Sequence, residues 1–363
     1  MRVAVIGVGH LGQHHARIYR SLPGCELVGI CDPDPRRRFE VATRTGVRAY
    51  ADPKELLGKV DVVSVVVPTT LHRAVATPFL EAGVHVLCEK PLAATAEDAR
   101  ALVEVARASG AVLQVGHIER FNPAIRAAER FIEDPRYIVA DRLSPFSFRS
   151  SDIGVVLDLM IHDLDIVLEL VNDPVASLEA IGVPVLSPAE DIADARIRFA
   201  GGALADLRAS RVSTKRMRKI RVFQRSAYLS IDYDARRVSV FRRTKDVESG
   251  ALDPLTIDPR GLSDLQGFVF SRLLELEEFA MDQGEDALSV ELASFLGACR
   301  GEHAPVVPGE HGARAVEVAV KIMATIKAYV RREAERAGVA VPAFALSAGE
   351  TALPDVVGEE PGA

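Results

Sequence analysis

The sequence has few cysteines, and their positions exclude a disulfide framework. Four occur among 363 residues, Cys25, Cys31, Cys88 and Cys299, and none belongs to a CxxC motif. Cys25 and Cys31 flank one predicted strand, whose rise of about 3.3 Å per residue holds them beyond bridging distance. We therefore expect free thiols in a reducing compartment and no zinc site.

Long apolar runs and an excess of positive charge are also missing. Runs such as residues 62–67 fall far short of the roughly 18 residues of a membrane span, and the apolar start at 3–6 ends at once in glycines and histidines, unlike a signal peptide. The 44 basic and 51 acidic residues give a net charge of −7. We expect a cytoplasmic protein without membrane or nucleic-acid partners, in which any anion site is local.

The composition is that of a folded chain of two domains. Hydrophobic residues make up 48% and charged residues 26%, which is typical of globular proteins. At about 150 residues per domain, two domains are expected. We predict a first domain at residues 1–120, a second at 121–336, and a disordered tail at 337–363, where the sequence is small, acidic and proline-containing.

The first 120 residues alternate apolar strands with helices. Predicted strands lie at 3–6, 26–31, 60–67, 84–88 and 111–115, and helices at 11–20, 35–45, 71–82 and 96–108. Several strands are nearly continuous apolar runs, as expected when helices cover both faces of a parallel sheet. Repeated units of this kind predict a doubly wound α/β domain.

After residue 121 extended segments predominate, at 193–199, 203–212, 219–224, 228–233 and 237–242. Their direct succession predicts antiparallel pairing, hence an α+β domain with an open, mainly antiparallel sheet. Further helices are predicted at 152–171, 288–299 and 313–335.

Residues 7–12, GVGHLG, match the GxGxxG pattern of a dinucleotide-binding loop. The loop follows the first strand and opens the first helix. Gly7 suits the tight turn, Gly9 the approach of a pyrophosphate and Gly12 close helix packing, while the helix N-terminus attracts the anion. This context predicts a Rossmann domain.

The second strand ends in Asp32, which favours NAD as the cofactor. Its carboxylate accepts hydrogen bonds from a ribose 2′-hydroxyl and repels a 2′-phosphate. NADP remains the alternative, because Arg36, Arg37 and Arg38 follow and an arginine there can pair with a 2′-phosphate.

Two segments follow the carboxyl ends of predicted parallel strands, where open α/β sheets bind ligands. They are PTTLH at 68–72 and EKP at 89–91. A lysine beside a nicotinamide cation has a lowered pKa, which suits Lys90 as a proton carrier; the alternative is that Glu89 and Lys90 are surface charges. The expected cofactor contacts are Gly7, Gly9, His10, Leu11, Gly12, Asp32, Pro68, Thr69, His72, Glu89 and Lys90.

Asp158 and His162 are spaced i, i+4 in a predicted helix, so they share a face. A histidine flanked by carboxylates suits removal of an alcohol proton while hydride leaves the same carbon. Asp158 orients or tunes it, and either Lys90 or His162 is the immediate proton acceptor. A divalent metal is the alternative use of these carboxylates, but Asp163 points elsewhere on the helix and hydride transfer needs no metal, so none is predicted.

The segment GHIERFNP, residues 116–123, lies at the domain junction, where the cleft must be. His117, Arg120 and Asn122 are expected to contact the substrate, together with Lys90, Asp158 and His162. The alternative is that the segment is an interdomain hinge. A basic cluster is predicted on two successive strands and their turn, either as a solvated or oligomer-facing edge or as a site for a substrate diphosphate. Its members are Arg208, Arg211, Lys215, Arg216, Arg218, Lys219 and Arg221.

Together, GVGHLG, VPTTLH, EKP, the D-x3-H helix and the pattern from Glu291 through Gly309 resemble the glucose–fructose oxidoreductase, inositol dehydrogenase and MocA-type family over residues 1 to about 335. The resemblance implies a dinucleotide domain, a C-terminal domain with an open sheet, and homodimers or homotetramers packed through that sheet. It also implies that Lys90, Asp158 and His162 line the reaction centre.

The GHIERFNP segment is similar to family members that oxidise nucleotide-activated amino sugars, notably UDP-N-acetylglucosamine 3-dehydrogenases. The resemblance implies an NAD-dependent oxidoreductase that converts a sugar ring hydroxyl, C3 of UDP-N-acetylglucosamine, to a ketone. Two alternatives stay open. One is a dehydrogenase of a free polyol or sugar such as an inositol; the other is a non-catalytic nucleotide-sensing regulator, against which Lys90, Asp158 and His162 argue.

Overall fold

A computed structural model describes residues 1–147, 153–281, 284, 286–339, 341 and 343–345. Two predicted features lie outside these residues: the first residue of the helix predicted from 152, and most of the tail predicted at 337–363.

The first sheet has six parallel strands in the order β3-β2-β1-β4-β5-β6. The strands are β1 Arg2–Ile6, β2 Glu26–Cys31, β3 Arg48–Tyr50, β4 Val62–Val65, β5 His85–Glu89 and β6 Leu113–Gly116. The order reverses between β1 and β4, which creates the crevice at the carboxyl ends where doubly wound sheets bind dinucleotides. Strand β3 was not predicted, because three residues at a sheet edge leave little apolar pattern.

Helices cover both faces of this sheet, and local signals set their ends. The helices are α1 Gly12–Ser21, α2 Pro35–Thr45, α3 His72–Glu81 and α4 Ala96–Ser109. Asp34 caps the N-terminus of α2 and Thr95 that of α4, and Gly46 and Gly110 end these helices in the left-handed region, which glycine adopts without a Cβ clash. The predicted helices therefore begin and end close to where the sequence places them.

The second sheet has eight strands in the order β14-β13-β12-β11-β7-β10-β9-β8. The strands are β7 Pro135–Leu143, β8 Val175–Val183, β9 Ile192–Phe199, β10 Leu204–Ser210, β11 Met217–Gln224, β12 Ala227–Asp232, β13 Arg237–Arg243 and β14 Leu274–Ala280. Neighbours are antiparallel except β7 and β10, which pair in parallel. The open, mainly antiparallel sheet is thus confirmed, although β7 enters it between β10 and β11 rather than in chain order.

Strands β7 and β14 were missed because charged residues interrupt their apolar pattern. Strand β7 carries Asp141 and Arg142, which are buried in the fold, and β14 is an acidic, mostly exposed edge strand. Such sequences become strands only when they pair with distant parts of the chain, so β-propensity alone does not predict these two strands.

The remaining helices are α5 Pro123–Glu129, α6 Ile161–Val171, α7 Lys245–Glu248, α8 Leu265–Phe268, α9 Ala287–Cys299 and α10 Gly309–Ala337. Helix α9 packs on the first sheet, because Leu292 and Phe295 share an apolar cluster with Val3 and Tyr19. Helix α10 begins at Gly309, directly after Pro308, four residues before its predicted start, and packs across α4, α6 and β8. Both C-terminal helices therefore return to the first sheet or to its helices.

Within the described part of the chain, no helix is long and apolar enough to span a bilayer.

Candidate active site

The glycine loop has the geometry of a dinucleotide cradle. Gly7 has φ +86°, and a Cβ there would lie 2.3 Å from the main-chain oxygen of Val66. A Cβ at Gly12 would lie 1.8 Å from the oxygen of Gly7, whereas one at Gly9 would meet no atom within 4 Å. Gly7 and Gly12 are therefore required by the protein's own packing, and Gly9 leaves the loop surface open where a pyrophosphate approaches.

Asp32 is buried at the end of β2 and holds the loop in place. Its Oδ2 accepts the Val8 N–H at 2.9 Å and its Oδ1 the Asp34 N–H at 2.9 Å. Of the three arginines that could pair with a 2′-phosphate, Arg38 donates to the main-chain oxygen of Asp32 at 2.6 Å, and Arg37 lies 3.5 Å from the carboxylate of Asp34.

The loop after β4 is tied to the EKP segment by His72. The ring is buried, with Nε2 2.9 Å from the oxygen of Val67 and Nδ1 3.0 Å from that of Pro91. Burial lowers the pKa of His72. Its ring nitrogens thus face protein carbonyls, and the expected contact between His72 and a cofactor stays a prediction, as do those of the neighbouring Pro68 and Thr69 and of the exposed His10 and Leu11.

Lys90 crosses from the first domain to the helix that carries Asp158. Its Nζ donates to the main-chain oxygen of Asp158 at 2.8 Å and lies 3.5 Å from Oδ1 of the same residue. Burial lowers the pKa of Lys90, against the opposing charges of Asp158 and Glu89. The structure thus brings together two of the three predicted catalytic residues.

The predicted helix at 152–171 is not regular. A π-helical turn, Val156–Met160, contains Asp158 and leads into α6, whose second residue is His162. Such wide turns occur often at functional sites. Burial lowers the pKa of His162 well below its ordinary value, and the charge of Lys90 lowers it further, so the imidazole is neutral at physiological pH.

The junction segment packs tightly around this centre. The buried ring of His117 lies edge-on to His162, with centroids 6.3 Å apart. The side chain of Asn122 caps α5 through the Ala124 N–H at 3.0 Å. Arg120 lies 3.0 Å from Glu169 and is buried. Arg120 and Asn122 thus have fixed structural partners, and their contact with substrate stays a prediction.

An ion cluster that sequence reasoning missed fixes α6 against the second sheet. The buried Arg142 of β7 donates from Nε to Asp163 at 2.7 Å, from Nη2 to Asp163 at 3.0 Å, and from Nη1 to Glu119 at 3.0 Å. Burial alone lowers the pKa of Arg142, but these two carboxylates raise it overall. Asp163 is thus held by Arg142 of the second sheet, and the adjacent charges of Asp141 and Arg142 within a mostly apolar strand were the available signal.

The basic cluster is divided between the two faces of the second sheet. Strand β7 lies between β10 and β11; Arg208 and Lys219 both pair in register with Asp141, whereas Arg218 pairs with the buried Arg142. Arg208 donates to Asp194 at 3.0 Å, and the buried Arg211 donates to Asp191 at 2.6 Å. The diphosphate hypothesis is therefore wrong for Arg211, because its guanidinium is held inside the fold.

Among the described residues, no three His, Cys, Asp or Glu side chains are grouped so as to hold a metal ion.

A glycine cradle at a sheet's switch point, beside a lysine, a carboxylate and a neutral histidine, defines a nicotinamide-dependent dehydrogenase. Residues 1–117 match the model of an oxidoreductase family with an NAD-binding Rossmann fold, and residues 129–229 match the GFO/IDH/MocA C-terminal domain. The chain belongs to this GFO/IDH/MocA family of oxidoreductases.

Several relatives share most of the chain. UDP-N-acetylglucosamine 3-dehydrogenase from Acidithiobacillus ferrooxidans is 35% identical over 92% of this chain and 99% of its own length, and its solved structure superposes with a TM-score of 0.78 over 91% of this chain and 98% of that one. A Thermotoga maritima myo-inositol 2-dehydrogenase is 28% identical over 87% of this chain and 93% of its own length. Levoglucosan dehydrogenase, solved with NADH, shares the fold at 19% identity and a TM-score of 0.75, covering 90% of this chain and 97% of that one.

Proposed function

We propose that this protein oxidises a ring hydroxyl of a nucleotide sugar, C3 of UDP-N-acetylglucosamine, to a ketone. The observation that carries the proposal is the contact of Lys90 with Asp158, which precedes His162 by one helical turn. The near full-length similarity to a UDP-N-acetylglucosamine 3-dehydrogenase supports the choice of substrate.

NAD is the proposed cofactor, held by the loop at Gly7, Gly9 and Gly12 and by Asp32. When bound, it accepts the hydride from the carbon that bears the hydroxyl. Asp32 places a carboxylate where a ribose hydroxyl donates and a 2′-phosphate is repelled, and Arg38 is already bonded to the main chain. These contacts favour NAD over NADP.

His162 is the proposed proton acceptor. Because its imidazole is neutral, it can take the hydroxyl proton as the carbon loses hydride. Lys90, anchored on Asp158, donates a hydrogen bond to the same oxygen and stabilises its developing negative charge. Arg142 holds Asp163, the residue after His162, and thereby fixes the direction of the histidine.

The test is a panel of substrates mixed with NAD or NADP, with reduced-nicotinamide absorbance as the readout. We expect turnover with UDP-N-acetylglucosamine, inhibited competitively by UDP, and none with free inositols. Turnover of inositols that UDP leaves unaffected would instead establish the polyol alternative. Inactivity with every UDP-sugar would refute the proposal.

Two variants test the proton path. His162→Asn should lower kcat by roughly 10² to 10⁴, the usual contribution of a general base, and Lys90→Met should also lower it while NADH still binds. Lys321→Met is the control, because Lys321 pairs with a carboxylate, Glu317, on the surface of α10. A wild-type rate in His162→Asn would show that His162 is not the acceptor.

We also propose a cytoplasmic homodimer or homotetramer that packs through the second sheet. A row of stacked rings crosses its outer face, with centroids 5.4 Å apart for Tyr137 and Phe223, 4.8 Å for Phe223 and Tyr228, and 5.1 Å for Tyr228 and Phe241. Flat aromatic rows bury well against a second copy. Light scattering should show the oligomer, and Phe223→Arg should dissociate it.

A further inference from the structure

The π-helical turn that carries Asp158 begins against a loop that joins two strands of the second sheet. Val155 is the N-cap of this turn and makes no side-chain cap. The main-chain oxygen of Glu190, in the loop between β8 and β9, accepts the Val155 N–H at 2.9 Å, and its Oε1 accepts the Val156 N–H at 3.4 Å. The first N–H groups of a helix lack partners of their own, so Glu190 caps the turn from another element.

Gly154 makes room for this cap. A Cβ at Gly154 would lie 1.9 Å from Oε1 of Glu190, which is buried. The main-chain oxygen of Gly154 also accepts the Asp158 N–H at 3.1 Å. The residue that lets Glu190 approach the turn is therefore bonded directly to Asp158.

A buried ion pair fixes the same loop to the start of the turn. Nε of Arg211 donates to Asp191 at 2.6 Å, and the two side chains are 4% and 0% exposed. Nη1 of Arg211 donates to the main-chain oxygen of Ile153 at 2.7 Å, and Nη2 donates to Oγ of Ser187 at 2.7 Å. Arg211, which follows β10, thus joins the loop to the residue that precedes Gly154.

The carboxylate of Asp191 makes this loop rigid. Its Oδ2 accepts the N–H groups of Val185, Leu186 and Ser187 at 2.7, 2.6 and 2.9 Å, and its Oδ1 accepts the hydroxyl of Ser187 at 2.7 Å. Burial raises the pKa of Asp191, but these bonds and Arg211 lower it overall. A buried, ionised carboxylate with this many donors has one position, so the loop offers the turn a fixed surface.

Lys90 contacts the main chain of this turn. Its Nζ donates to the main-chain oxygen of Asp158 at 2.8 Å and lies 3.5 Å from Oδ1. Because the nearer acceptor belongs to the main chain, a shift of the turn would carry it away from Lys90 even when the carboxylate rotates to compensate. A misplacement of about 1 Å can lower a rate by about 10²-fold. The start of the turn therefore controls how Lys90 is held.

We propose that Glu190, Asp191 and Arg211 form a clamp that fixes the start of the π-helical turn and thereby holds Asp158 at bonding distance from Lys90. Glu190 and Arg211 are positioning residues, since they act on the reaction through the turn. The catalytic consequence rests on the proposed function, whereas the fixing of the turn by the clamp does not.

The first test is hydrogen–deuterium exchange of the protein without substrate, read by mass spectrometry on peptides that contain residues 154–160. In Arg211→Met these amides should exchange roughly tenfold faster than in the wild type, as expected when a bond from a charged donor is lost. Arg196→Met is the control, because Arg196 pairs with Asp206 but its side chain is 52% exposed. Unchanged exchange in Arg211→Met would refute the clamp.

Gly154→Ala tests the clamp without removing a charge. Its Cβ should displace the Glu190 carboxylate from the Val156 N–H, so the same peptides should exchange faster. Gly261→Ala is the matched control, because a Cβ there meets no atom within 4 Å. Circular dichroism checks that each variant is folded, and Gly154→Ala decides the question if Arg211→Met does not fold. Wild-type protection in a folded Gly154→Ala would overturn the proposal.

The kinetic test concerns Lys90, whose hydrogen bond to the substrate oxygen needs the protonated amine. Burial lowers the pKa of Lys90, and the charge of Asp158 opposes this effect. Only Asp158 among the surrounding groups lies on the turn that the clamp holds. The other titratable groups that interact with Lys90 through their charges are Glu89, Arg142, His117 and His162.

In Arg211→Met and Gly154→Ala, the basic limb of the kcat profile should move to lower pH, because a displaced Asp158 stabilises the ammonium of Lys90 less. The value of kcat should fall by up to about 10²-fold, and KM for NAD should stay unchanged, because the glycine loop keeps its contacts. A lower kcat with the limb in place would contradict the positioning role. If the exchange results agree but no UDP-sugar reacts, the proposed function fails and the clamp stands.

Discussion

Replacing Arg142 tests how helix α6 is held against the second sheet. Replacing it with Met leaves the carboxylate of Asp163 in the fold without its counter-ion and Glu119 with only Arg218, whose Nη1 lies 3.4 Å away. The side chains of Arg142, Asp163 and Glu119 are 2%, 3% and 8% exposed, so the free-energy cost of breaking a buried ion pair applies. Removing one partner of such a pair costs about 3 to 5 kcal/mol, a large part of the roughly 5 to 15 kcal/mol that stabilises a typical protein.

The assay is urea unfolding followed by circular dichroism, because the chain contains no tryptophan. Arg196→Met is the matched control: Arg196 makes the same two-bond contact with Asp206, at 2.7 and 2.8 Å, but its side chain is 52% exposed. We expect little change in the free energy of unfolding of Arg196→Met, since exposed ion pairs contribute little to stability.

The loss of folding stability in Arg142→Met should also depend on pH. Burial raises the pKa of Asp163, and without Arg142 it rises further. A carboxyl whose folded pKa exceeds its unfolded pKa binds more protons when folded, so stability grows as pH falls through the folded pKa. The deficit should therefore shrink on acidification. Equal losses in Arg142→Met and Arg196→Met, or a deficit independent of pH, would refute the reasoning.

Three further predictions concern the cofactor domain. Gly9→Val should abolish NADH binding measured by fluorescence but leave the thermal midpoint unchanged, whereas Gly12→Ala should lower the midpoint, because its Cβ meets the loop oxygen at 1.8 Å. Asp32→Ser should raise the NADP to NAD ratio of kcat/KM by at least tenfold; an unchanged ratio would contradict the role of Asp32. Burial lowers the pKa of His72 and His117 from the ordinary value of 6.5, so the unfolded chain binds more protons than the folded protein. The thermal midpoint should therefore decrease as the pH is lowered from about 6.5. His72→Asn should make the midpoint less dependent on pH.

The sequence was most informative where structure is local. The glycine loop, helices α2 and α4 and the buried strands of the first sheet all rest on short-range signals, which is why their positions were predicted closely. That Lys90 and Asp158 lie in one reaction centre was also expected, but only through the resemblance to a known family; their direct contact was not predicted. Nothing in the spacing of residues 90 and 158 shows that the two segments meet.

Long-range packing accounts for the rest. Strand β7 pairs with two strands far along the chain, and its Arg142 finds partners on two other elements, so neither its extension nor its charge is explained by neighbouring residues. The return of α9 to the first sheet brings Leu292 and Phe295 into one apolar cluster with Val3 and Tyr19, about 280 residues earlier in the chain, a separation beyond any local pattern.

The sequence by itself predicted a dinucleotide loop in a doubly wound sheet followed by an open, mainly antiparallel sheet, because glycine conformation and strand hydrophobicity act over a few residues. Only the tertiary structure decided that Asp158 lies in a π-helical turn in contact with Lys90, that Arg142 anchors α6, and that Arg211 is buried in the fold. Burial and charge pairing depend on which distant segments come together, and those contacts exist only once the chain has folded.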